Sequence, residues 1–213
     1  MLKHIDQLED TFIAAYGAST DPIRTPVPKG FLFGSRGAED LFGLYSGATF
    51  GSGLYRLVSV KEADVWNALV LAAFPQFAGR IACFGYDWLG RFFAVDKSRL
   101  VNEQPGVVLL EPGTGEALEI PCEFLAFHTD ELTNHAEAAL ARSAFEAWNA
   151  EQDRPLSENE CAGYRVPLFL GGRDEVANMA RTDLKVYWDI CAQMLSQTRE
   201  MREGERISRV SLR

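Results

Sequence analysis

The 213-residue chain is poor in histidine and cysteine, and what it has is scattered: His4, His128 and His135; Cys83, Cys122, Cys161 and Cys191. No C-x-x-C or H-x-x-x-H pair occurs, so the ligand spacing of a zinc site is missing. His128 and His135 stand seven apart with Asp130 and Glu131 between them, but Thr133 and Asn134 interrupt a helix there, and surface histidines are the plainer reading. There is no G-x-S-x-G elbow, and no cysteine sits in a recognisable signature with histidine, so nucleophilic catalysis has no visible machinery. The Gly113-Thr114-Gly115 and Gly171-Gly172 groups lack the third glycine of a dinucleotide fingerprint. Asp87 and Asp96 bracket one hairpin as a carboxylate pair, yet strand ends commonly carry Asp to bond a turn. No apolar run approaches the roughly 18 residues of a membrane helix, and Met1 to Asp10 has no apolar signal core. Four separated cysteines in apolar settings then read as reduced thiols of a cytoplasmic protein. Neither a metal nor a cofactor is expected.

What is present is core and charge. Hydrophobic residues make up 47% of the chain, with 14 Phe, enough for a sizeable core in one large domain. The net charge of −9 is concentrated: residues 103–160 hold thirteen acids against Arg142 and Arg154 alone, −11, while the rest carries +2. Such a field repels nucleic-acid phosphates and draws a basic partner, raising on-rates by roughly 10- to 1000-fold at low salt. The plainer alternative is a solvated face that keeps the protein soluble.

The periodicity alternates between helix and strand. Ile5, Leu8, Phe12, Ala15 and Tyr16 predict an amphipathic helix over 5–16 stopped at Gly17; Pro22, Pro26 and Pro28 predict an extended connector. A short helix over 38–46, a strand over 54–60 and a buried helix over 61–74 follow. Strands at 80–86 and 91–96 flank Asp87-Trp88-Leu89-Gly90, and strands at 107–111 and 117–121 flank Pro112-Gly113-Thr114-Gly115; both intervening groups are turn chemistry. Helices are expected at 123–133 and 136–150, an acidic loop at 151–160, a strand at 164–170 and a last helix at 182–195 capped by Thr182. The fold class is α+β: a central antiparallel or mixed sheet of five to six strands flanked by helices, with residues 164–170 in the sheet.

Three stretches carry a resemblance: Phe84 to Asp96, Gly53-Leu54-Tyr55-Arg56-Leu57-Val58, and Gly163-Tyr164-Arg165-Val166-Pro167-Leu168-Phe169-Leu170-Gly171-Gly172, with a closing Val186-Tyr187-Trp188 helix. From about Phe12 to about Leu195 the chain resembles the bacterial GAD-like/type VI secretion immunity family, and more loosely the SUKH-type immunity proteins. Members of that family are encoded beside secreted DNase effectors and protect the producing cell by binding them. The resemblance implies a non-enzymatic protein whose partner is a cognate toxin with a basic nuclease surface, bound without direct contact to nucleic acid or membrane. It also implies one α+β unit over 1–198, with a GAD-like half at about 5–100 and an immunity half at about 101–198. A charged flexible tail is expected over 199–213.

The expected partner-binding residues are Asp87 and Trp88 at the hairpin tip, with Glu111, Glu116, Glu119, Glu123, Asp130 and Glu131. Trp88 is singled out because turn geometry places it at the tip, where the indole either anchors a partner or folds back into the core. Two other function classes stay open: a cytosolic adaptor without a toxin, and a small-molecule hydrolase with a polar pocket.

Overall fold

The computed structural model describes residues 3–198, so the expected tail over 199–213 lies outside the described residues. Residues 5–16 form helix α1, widened to a π-turn over Glu9–Ile13 and ended at Gly17 with φ 62°. Helix α2 is Ala38–Tyr45, and strands β1 (Thr49–Phe50) and β2 (Tyr55–Leu57) follow. Helix α3, Ala63–Ala73, stops before Pro75, as its sequence predicts.

The meander of β3 (Ile81–Asp87), β4 (Phe92–Val101), β5 (Gln104–Glu111) and β6 (Glu116–Glu123) completes a six-stranded sheet in the order β1 to β6, antiparallel throughout. Its β4–β5 turn uses Asn102 and Glu103 at φ 50° and 64°. Both faces are covered. Phe84, Phe93, Val95, Val107 and Leu109 pack with α1, α2 and the later helices α4 (residues 124–134), α5 (Ala136–Leu140) and α6 (Arg142–Ala150). Tyr86, Phe92, Ala94, Val108 and Leu110 pack with α3 and α7 (Leu184–Thr198). Strands buried on both faces explain why Ile81 to Phe84 and Phe92 to Val95 are apolar at successive positions.

Three expectations need correction. The strand predicted over 164–170 is β7, Glu160–Tyr164, and Leu168–Leu170 is a 3-10 turn. It pairs with β8, Met179–Asp183, in a separate two-stranded sheet and does not join the main one. Pro167 caused the displacement: it has no N–H for a ladder, and the chain turns there. The cap of α7 is Asp183, whose Oδ1 accepts from Val186 N at 2.9 Å, one residue beyond Thr182. The helix over 136–150 is broken at Ala141, φ 50°, into α5 and α6.

Candidate functional site

The Asp87-Trp88-Leu89-Gly90 turn joins β3 and β4 as expected, but Trp88 does not present itself to a partner. Trp88 and Asp87 are both 0% exposed, which corrects the expectation of an indole anchor at an exposed tip. The tip runs into the centre of the molecule. Trp88 Nε1 donates to Leu140 O at 2.8 Å, its N donates to Leu54 O at 3.1 Å, and its carbonyl accepts from Ala162 N at 2.7 Å. Its ring packs on Phe145 and Trp148. Trp188 Nε1 donates to Gly90 O at 2.7 Å, and Gly90 sits at φ 76° against Cys161 and Leu184. A buried indole that finds an acceptor for its N–H is core behaviour.

Asp87 closes the same turn. Its Oδ1 accepts from Leu89 N at 3.1 Å and Arg91 N at 3.0 Å, and its Oδ2 accepts from Arg91 Nε at 2.6 Å. Arg91 reaches on to Ala139 O at 3.0 Å. Burial raises the Asp87 carboxyl against the pull of Arg91 and these N–H donors. Glu111 is half-buried beside this pair and is raised by burial too. Glu123 is also removed from the surface: it is 4% exposed and caps α4, accepting from Leu125 N at 2.8 Å and Ala126 N at 3.3 Å. Asp87 and Glu123 therefore hold the fold together through their hydrogen bonds, and Glu111 is partly withdrawn from solvent beside the Asp87–Arg91 pair.

The other four expected residues are at the surface of two elements, Glu116 and Glu119 on opposite faces of β6 and Asp130 and Glu131 on α4. Glu116 and Glu119 are exposed on β6, the last strand of the sheet; Asp130 is exposed and Glu131 half-exposed on α4. The fields of Glu131 and Asp130 reach Cys122, whose half-buried thiol is pushed up to about 12 by burial first, then by Glu131, Glu123 and Asp130. Glu119 Oε2 lies 3.7 Å from Arg99 Nε, and Asp130 Oδ1 accepts from Asn134 Nδ2 at 2.7 Å; no side-chain partner engages Glu116 or Glu131 among the described residues. An apolar strip runs along one face of β6 beside Glu116, with Leu118 47% exposed and Ile120 and Cys122 half-covered, while Glu119 points to the other face. Residue alternation gives Leu118, but the edge position that exposes it is a property of strand order, which sequence reasoning missed.

The acids of residues 137–160 are mostly engaged. Glu137 accepts from Ser143, Glu146 pairs with Arg142 at 3.0 Å, and Glu160 is held well below the usual range by Arg154 at 2.7 Å. A hydrolase reading finds one place to look: Ser35, His4 and Asp40 line an open depression of about 280 Å³. They are not wired as a triad. Ser35 Oγ donates to Leu32 O at 2.6 Å, and it is the backbone N of His4, not its ring, that donates to Asp40 at 2.7 Å. His128 is fully buried with its Nδ1 2.8 Å from Phe124 O, so its Nε2 accepts from Tyr55 Oη at 3.0 Å; it is a core residue, which corrects its placement at the surface. Among the described residues, no group of three or more His, Cys, Asp or Glu is placed to hold a metal, and no helix is long and apolar enough to cross a membrane.

Comparison with known proteins adds a family to this geometry. Residues 123–195 match the family described as "T6SS immunity protein Tdi1, C-terminal". That segment runs from the capping Glu123 through α4, α5, α6, β7 and β8 to Leu195 of α7. A type VI secretion immunity protein is thus the class this part of the chain is similar to. The crystal structure of Atu4351 from Agrobacterium tumefaciens shares the fold, with a TM-score of 0.54 at 14% identity over 85% of this chain and 86% of that one. No curated protein matches the chain.

Proposed function

We propose that this chain is an immunity protein that binds and neutralises a cognate type VI secretion effector, and that the effector is a DNase. The match of residues 123–195 carries the immunity reading. The acids left at the surface support the nuclease: a protein that cleaves DNA needs a basic surface, and Glu116 and Glu119 on β6 with Asp130 and Glu131 on α4 would engage that surface in place of phosphates. Occlusion then needs no catalytic group of the inhibitor's own. Residues 1–198 act as one unit in this reading, because the hairpin tip at Trp88 is bonded to both Leu54, the residue before β2, and the matched segment.

Expression of the reading frame adjacent to the gene tests this in cells. The parent chain should restore growth when that frame is toxic, and Asp130→Lys/Glu131→Lys should restore it poorly at equal levels of folded protein. An adjacent frame that is harmless, or toxicity the chain does not relieve, contradicts the reading.

A further inference from the structure

We propose that the open edge of β6 takes an extended, basic segment of the effector as an added strand. This rests on the immunity reading, which supplies the partner, and adds the mode of binding. β6 is the last of six strands. In an antiparallel pair every second residue turns its N–H and C=O away from the neighbouring strand, so one side of β6 is an unpaired row. Beyond the ladder with β5, one hydrogen bond reaches the backbone of residues 117–121 among the described residues: Ile120 O accepts from Arg99 Nη2 at 2.9 Å.

Edges are usually blunted by lysine, proline, bulges or a covering element. Here Pro121 and the register shift both lie beyond Ile120, leaving Glu116 to Ile120 paired one-to-one with Glu111 to Val107. That regular run keeps Glu116, Leu118 and Glu119 exposed. A second copy is a poor occupant, since edge-to-edge pairing sets Glu116 and Glu119 against the same residues of the other chain. A basic strand fits: Arg or Lys beside the two glutamates, an aliphatic side chain against Leu118, and main-chain hydrogen bonds along the row.

Glu116 and Leu118 share one face of β6 and Glu119 points to the other, so hydrogen exchange on the full chain, with and without a capped nonapeptide centred on Arg-Val-Val-Arg, tests this. Amides of residues 116–120 should slow at least tenfold, on alternate residues, and Glu116→Lys/Glu119→Lys should abolish the effect. The same peptide N-methylated at alternate residues, which cannot pair, should fail. Slowing confined to other elements, or equal slowing by the N-methylated peptide, overturns the proposal. So does protection of β6 without peptide that rises with protein concentration, which marks a second copy, or that vanishes when residues 199–213 are deleted, which marks the chain's own C-terminal segment. Cell protection separates this inference from the reading it rests on: protection by the parent and equally by Glu116→Lys/Glu119→Lys keeps the immunity role and removes the edge.

Discussion

Trp88 Nε1 donates to Leu140 O at 2.8 Å, fastening the tip of the β3–β4 hairpin to the end of α5. Two parts of the chain far apart in sequence meet at that bond, and the family match covers only the later of them. The turn that stands out most in the sequence is therefore a joint of the fold.

Trp88→Ala should cost about 3–5 kcal/mol of stability, the usual range for truncating a fully buried large aromatic. Trp88→Phe should cost less but leave Leu140 O without its donor. Urea denaturation of both variants checks the order; an Ala variant within about 1 kcal/mol of the parent contradicts the buried placement.

Breaking the Asp87–Arg91 pair from one side should be worse than removing it whole. Asp87→Ala leaves a buried guanidinium uncompensated and the turn amides unbonded, a loss of about 3–5 kcal/mol. The double variant Asp87→Ala/Arg91→Met should recover part of that loss, giving a favourable coupling energy in a double-mutant cycle. Additive losses would show that the pair is not coupled.

His128 should make the protein acid-sensitive. Burial lowers its pKa to about 3, whereas in the unfolded chain it titrates near its ordinary value of 6.5. The unfolded state then binds a proton that the folded state refuses, so the stabilising difference is complete above pH 6.5 and is lost as pH falls toward 3. His128→Gln, compared with the parent by denaturation at several pH values, should remove a slope approaching about 1.4 kcal/mol per pH unit. Identical slopes would contradict the assignment.

The eight acidic and aromatic residues expected at an interface should separate by experiment as they do by position. Replacing Glu116, Glu119, Asp130 and Glu131 with their amides should slow association with the effector and flatten its salt dependence, leaving dissociation less affected. Glu123→Gln should instead lower stability by about 1 kcal/mol through the weakened α4 cap, with little change in association. Unchanged association for the fourfold variant at low salt reduces these four acids to a solubilising role.

Much of the fold was readable because its signals are local. Pro112-Gly113-Thr114-Gly115 and the stops at Gly17 and Pro75 act within a few residues, and the matching turn and helices stand where they predict. The short strand β7 was displaced and β8 was missed because each is only five residues and gains its partner from 15 residues away or more. Trp88 was misplaced for another reason: a turn signal tells that the chain reverses, not whether water or protein lies beyond it. Four of the charged site residues lie at the surface of β6 and α4, while Asp87 and Glu123 show that an acid in sequence can serve a turn and a buried pair, or a helix cap. The identity of the edge strand needed the strand order.

Competition between this chain and duplex DNA for the purified product of the adjacent reading frame tests the central claim most directly. Fluorescent duplex bound to a catalytically inactivated effector should be displaced by the parent chain at one-to-one stoichiometry, with weaker displacement by Asp130→Lys/Glu131→Lys. A ternary complex in which effector holds DNA and this chain together would contradict occlusion.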